Sequence, residues 1–172
     1  MAEILVRELL EAGAHFGHRA SRWNPKMSRY IYGKRNGVHI IDLRETLKGL
    51  LRGERLLTKL ASTGGEILFV GTKRSAREAV LKHAVRAQCP YVNDRWLGGT
   101  LTNHQTILSR LQRLESLERM ERDGSISTYS KKMIAMLQRE KKKILRNLEG
   151  IRNMKKLPAA LVVLDPRSEE NA

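Results

Sequence analysis

One stretch constrains the fold more than any other: Glu66-Ile67-Leu68-Phe69-Val70-Gly71-Thr72-Lys73. Four large apolar side chains follow one another without a polar break. Gly64-Gly65 precede them, and Lys73-Arg74 follow the glycine. Successive strand side chains alternate between faces, so an unbroken apolar run reads as a strand with no wet face. Helical patterns flank it, from Asp42 to about Ser62 and from about Ser75 to Gln88. A strand between helices predicts an α/β fold with a parallel sheet covered on both faces. In such sheets the ligand-facing residues gather at the carboxyl ends of strands. Thr72, Lys73 and Arg74 stand at such an end and are candidate phosphate contacts.

The rest of the chain extends this pattern. Residues 3–12 place apolar side chains at 5, 6, 9 and 10, a short amphipathic helix that Gly13 stops. Residues 14–27 have no period and read as an irregular segment, broken at Asn24-Pro25. Tyr30-Ile31-Tyr32 and Val38-His39-Ile40-Ile41 read as two strands of a β-hairpin, because Asn36-Gly37 between them suits a tight turn with positive φ. Asp42 is a good N-cap for the next helix, whose stripe is Leu43, Leu47, Leu50, Leu51, Leu57 and Leu60. Pro90–Asn93 reads as a short third strand and Asp94–Thr102 as a loop. Two helical patterns then fill 103–150, separated at Asp123-Gly124-Ser125. The second carries a heptad seam of Ile134, Leu137, Lys141, Ile144, Leu148 and Ile151, with Lys141 the one misfit. This predicts an antiparallel, coiled-coil-like helical hairpin over 103–150 that projects from an α/β domain made of 1–102 and 151–172. Ala159–Leu164 is expected to be another buried parallel strand, closed by Asp165-Pro166-Arg167.

Charge narrows the class of partner. Lys and Arg number 33 against 18 Asp and Glu, a net charge of +15. Such an excess repels itself unless a polyanion offsets it. Nucleic acid is the usual polyanion and an anionic membrane surface the alternative. The membrane reading is disfavoured: no apolar run reaches a spanning length, and the first residues resemble neither a signal peptide nor a lipidation site. Cys89 is the only cysteine, so an intrachain disulfide is impossible and a reducing compartment is expected.

Arg19, Arg22, Lys26, Arg29, Lys34 and Arg35 occur with no acidic residue among them, interleaved with Trp23, Tyr30 and Tyr32. Guanidinium forks pair with phosphate oxygens and aromatic faces stack on exposed bases. The cations read as polyanion contacts; Trp23 taken alone reads better as a plug of the core. A second candidate is Asn93–Asn103. Gly98-Gly99 permits close backbone approach, Arg95 supplies charge, and Thr100 or Thr102 could cap the following helix and leave N–H groups for a phosphate. The alternative is a structural corner with Trp96 packed inward, and spacing does not choose between them. A third is Lys131-Lys132 with Arg139, Lys141, Lys142, Lys143 and Arg146, an RNA contact or a protein-docking arm; residues 104–157 carry 14 basic against 6 acidic residues.

Catalytic and metal signatures are missing from the sequence. Gly71-Thr72-Lys73 is not a P-loop, and no dinucleotide fingerprint occurs. His15 and His18 lie three apart, but no second close His or Cys pair completes a metal site, so structural histidines are expected. Cys89 reads as core. No cofactor and no enzymatic activity are expected. The enzyme alternative is a small α/β protein using a phosphorylated ligand at Gly71–Arg74; another is an RNA chaperone or regulator.

Several motifs, in order along the whole chain, resemble ribosomal protein two of the small subunit in its bacterial and organellar form. They are Ala12–His18, Arg22–Met27, Arg35–Leu43, Ile67–Lys73, Pro90–Asn93, Arg95–Asn103 and Leu164–Arg167. The resemblance implies a flavodoxin-like parallel sheet with a protruding helical hairpin and no catalytic activity. It implies a structural role in the small subunit of a cytoplasmic or organellar ribosome. The implied partners are small-subunit ribosomal RNA and other small-subunit proteins, including the large, repeat-containing ribosomal protein one, with no membrane partner. His104 stands where the family usually has phenylalanine. Family members also run longer, and the sequence stops in what reads as a loop entering a helix. If the chain is truncated, the Leu161–Leu164 strand is expected to lack its covering helix and the free chain to aggregate.

Overall fold

A computed structural model describes residues 6–154 and 156–172. The chain divides into two compact units, residues 1–59 and 60–172.

The first unit holds α1 (Val6–Glu11), a three-stranded antiparallel sheet and most of α2 (Leu43–Ser62). The sheet comprises β1 (Phe16–Arg19), β2 (Ile31–Arg35) and β3 (Val38–Ile41) in the order β1-β3-β2. The expected hairpin is present: Arg35 pairs with Val38, and Asn36 and Gly37 take φ of 48° and 76°. Of the expected amphipathic helix, residues 1–5 lie outside the described part. β1 falls in the segment read as irregular. It pairs with β3 through Phe16↔Ile40 and Arg19↔Val38. Its single large apolar residue offers no alternation to detect. Gly17 fits the pairing, because a Cβ there would sit 2.9 Å from the His39 carbonyl oxygen. Asp42 caps α2 as expected, its Oδ1 accepting from the Arg44 N–H at 2.9 Å. The leucine stripe is less buried than its spacing predicts: Leu43 is buried, while Leu50 and Leu51 are exposed.

The second unit contains a parallel sheet of β4 (Ile67–Val70), β5 (Tyr91–Val92) and β6 (Ala160–Val163), in the order β5-β4-β6. The central strand, β4, is the unbroken apolar run of the sequence. Leu68 and Val70 are fully buried, as a strand covered on both faces requires. α3 (Arg77–Arg86) crosses from β4 to β5. α4 (His104–Arg122) and α5 (Lys131–Leu148), joined by a turn, cross from β5 to β6. Gly124 ends α4 in the left-handed region at φ 69°. The sheet thus grows outward on both sides from its first strand, the doubly-wound order of flavodoxin-like folds.

The core joins sheet and helices. Leu68, Val70 and Val92 cluster with Ile107, Leu111, Leu114 and Leu117 of α4 and Leu137, Ile144 and Leu148 of α5. The helical pair therefore shares one apolar core with the sheet. Of the expected seam, Leu137, Ile144, Leu148 and Ile151 are buried. The misfit Lys141 is accommodated by an ion pair with Glu121. β6 is half-buried along its length, less covered than its apolar sequence predicts. Cys89 is half-buried; burial raises its thiol pKa, with the nearby Glu66 adding to the shift.

Candidate nucleic-acid interface

The antiparallel sheet and the 3-10 turns beside it position the first cluster. Asn24-Pro25 starts a 3-10 turn over residues 25–30, the Asn24 side chain accepting from the Lys26 N–H at 3.0 Å. This turn and the neighbouring turn at 20–22 carry Arg22, Lys26 and Arg29, while the strand ends carry Arg19, Lys34 and Arg35. All six are exposed, and among the described residues none makes an ion pair with a carboxylate. Arg29 instead donates to the Tyr30 hydroxyl and lies over a ring at 4.5 Å, the Tyr30 hydrogen bond raising its pKa further. Trp23 does not plug the core. It is 43% exposed, its ring 5.3 Å from that of His39. A segment this polar leaves the indole a surface neighbour rather than an apolar pocket.

A groove of about 660 Å³ on the same sheet has no counterpart in the sequence reading. Val38 and Ile40 line it, Phe16 and Tyr32 stand beside it, and Lys34 and Arg35 are also at its edge. The aromatics are 65% and 73% exposed. A register irregularity between Ile31 and Gly33 brackets Tyr32, and a Cβ on Gly33 would meet nothing within 4 Å, so the groove stays open there. The Asn-Gly hairpin is legible in the sequence; the irregularity that shapes its face has no composition signal.

In the second unit, the Arg95 corner is largely structural. Trp96, Leu97 and Leu101 pack against the core. Thr100 is buried, and its hydroxyl donates to the Leu97 carbonyl at 2.6 Å. The helix cap is Asn103, not Thr100 or Thr102: its Oδ1 accepts from the Thr106 N–H and hydroxyl at 3.4 and 2.8 Å. Gly98 is exposed with open space around it, and Gly99 takes φ 84°. Arg95 is exposed and has no carboxylate partner among the described residues. The aromatic is thus inward, as in the structural-corner reading, and the cation points outward.

The carboxyl end of β4 is engaged internally. The Thr72 N–H and hydroxyl both donate to Glu169 Oε1, at 2.7 and 2.6 Å. Lys73 Nζ donates to Asp165 Oδ2 at 2.8 Å, and this bond is the main reason the Asp165 carboxyl is held below the usual range. Arg74 is exposed with no ion pair among the described residues. The terminal acids carry no signal in the sequence, because a single acidic pair in a tail has no pattern.

The basic residues of α5 divide in two. Arg146 binds Asp94, which also takes Arg77 at 2.7 Å, and Lys141 binds Glu121. Lys131, Lys132, Arg139, Lys142 and Lys143 are exposed and make no ion pair among the described residues. No group of three or more His, Cys, Asp or Glu side chains suited to a metal occurs among the described residues. His15 stacks near Phe16 at 4.1 Å.

Fold and surface together define an α/β protein that carries, on both units, exposed cations with no ion pair among the described residues. The family model for ribosomal protein S2 matches residues 9–172, and the chain belongs to that family. It is also 55% identical, over all 172 of its residues, to the small ribosomal subunit protein uS2 of Rhodopirellula baltica. The chain spans 66% of that relative's length.

Proposed function

We propose that this chain is the RNA-binding scaffold of a structural constituent of the small ribosomal subunit, supporting its assembly and translation. Small-subunit ribosomal RNA is its polyanion. The observation that carries this reading is the set of six exposed cations between Arg19 and Arg35, none of which forms an ion pair with a carboxylate among the described residues. In folded proteins exposed cations are commonly interspersed with acids, and a segment that has none leaves its field for an external partner. Arg95, Arg74, Lys131 and Lys132 extend the same chemistry in the second unit, with Gly98 and Gly99 allowing close approach. Trp23, by its exposure, is available for stacking on a base, whereas the inward Trp96 acts by holding the Arg95 corner.

Other small-subunit proteins are the second class of partner. The groove beside Phe16 and Tyr32 is apolar, concave and exposed, which suits a protein side chain better than a phosphate. We assign it to protein docking, with ribosomal protein one as the partner to test first. The role is one of binding rather than catalysis, and its location is the ribosome. No described helix is long and apolar enough to cross a membrane.

Sedimentation tests the reading. The chain is expected to travel with small subunits through a high-salt gradient. Release from the subunits at salt, with retained binding to arbitrary RNA, would instead mark a free RNA chaperone.

A further inference from the structure

We propose that the carboxyl end of β4 is a phosphate-binding site held shut by the chain's own Glu169. The proposal depends on the RNA-binding reading only for the source of the phosphate. In the order β5-β4-β6, the connection from β4 runs outward to β5 and the next one returns past β4 to β6 on its other side, so the crevice between the ends of β4 and β6 is the switch point where open α/β sheets take ligands. Here that crevice holds a carboxylate. Glu169 is 5% exposed, and its Oε1 receives two convergent donors, the Thr72 N–H and hydroxyl. A backbone N–H and a neighbouring hydroxyl meeting on one anionic oxygen is also how phosphate oxygens are held. Lys73 beside it is occupied by a second internal carboxylate, Asp165. Arg74 follows, exposed and with no ion pair among the described residues.

Both occupying carboxylates belong to one short turn. The N–H groups of Ser168 and Glu169 donate to the Asp165 carbonyl at 3.0 and 3.3 Å, and the Ser168 hydroxyl donates to Asp165 Oδ2 at 3.0 Å. Asp165 takes φ 66°, a left-handed conformation that aspartate tolerates at modest cost. Because both carboxylates sit on this one turn, its displacement would free Thr72 and Lys73 together. A phosphate monoester or diester would replace two separate carboxylates with one anion that reaches Thr72, Lys73 and Arg74 at once. The turn acts as a tethered competitor, so the affinity seen from outside falls by the fraction of time it is closed.

The test follows the Thr72 amide by NMR while the intact chain is titrated with inorganic phosphate. The Glu169→Ala chain is expected to show a saturable shift at phosphate concentrations about tenfold or more below those the unmodified chain requires. Adding Thr72→Ala should abolish the gain, read at the Lys73 amide. Glu169→Gln keeps the side-chain shape and removes the charge, so it must also respond earlier than the parent even if the alanine variant folds poorly. Equal responses of parent and Glu169→Gln would overturn the proposal. A parallel titration with single-stranded RNA identifies the source. A gain there assigns the site to backbone phosphate; a gain with inorganic phosphate alone assigns it to a free phosphorylated ligand. RNA affinity carried by Arg19–Arg35 is measured on the unmodified chain, so failure of that reading and failure of this one are separate results.

Discussion

Gly150 shows how much one residue can fix. A Cβ there would overlap the Tyr91 carbonyl oxygen and lie 2.7 Å from its ring, so the segment after α5 can pass β5 only as glycine. The Gly150→Ala chain is expected to lose about 1–3 kcal/mol of stability, because the obstacle is backbone and cannot rotate away. Denaturant melts will measure it, and an unchanged midpoint would mean that the segment shifts freely. Leu114, fully buried between sheet and helices, carries the ordinary packing cost, and Leu114→Ala should lose about 2–5 kcal/mol. The two roles differ in how plainly the sequence announces them. Leu114 lies on a helical period and reads as core. Gly150 reads as a simple end of a helix, since a close approach across ~60 residues leaves no local mark.

Among the elements, Asp94 ties helices that are far apart in sequence. It receives Arg77 from α3 and Arg146 from α5, and the Arg146 hydrogen bond chiefly holds its carboxyl below the usual range. A carboxyl whose folded pKa is depressed contributes stability that is in place above the unfolded value of about 4 and is lost as pH falls through the lower folded value. The Asp94→Asn chain should therefore melt a few degrees below the parent at neutral pH. The gap should stay constant down to about pH 5 and close in more acidic solution. A gap independent of pH would remove the ion pairs as its cause. Glu118 and Glu140 are depressed in the same direction by hydrogen bonds from Arg152 and Arg113, so the helical pair as a whole should loosen in acid. The elements themselves are largely legible in the sequence. Uninterrupted apolar runs, Asn36-Gly37 and Asp42 carry local instructions that the structure follows. β1 and the Asn103 cap are not, because each depends on a neighbour or competes with equally good residues beside it.

At the level of the whole molecule, the charge sets the behaviour. With Arg19, Arg22 and Lys26 replaced by alanine, the dependence of log affinity on log salt should flatten by roughly 0.7 for each single-strand phosphate no longer neutralised. Binding isotherms at several salt concentrations will show it, and an unaltered slope would remove this segment from the interface. The family is readable from motifs spread along the sequence, such as the run Arg95–Asn103. Which cations remain open is not readable there. Lys73, Lys141 and Arg146 look like their neighbours in sequence, yet each finds a carboxylate brought from 20 to 92 residues away.

The pairing of β4 with β6, Ile67 against Ala160, also bears on how the chain is made. About 90 residues must leave the ribosome between these strands, which at ~5–20 residues per second takes on the order of 5–20 s. Throughout that interval the most apolar strand of the nascent protein has an unmatched edge. Its birth is the moment of greatest exposure to misassociation, and chaperones that shield strand edges should matter more for its yield than for its finished stability.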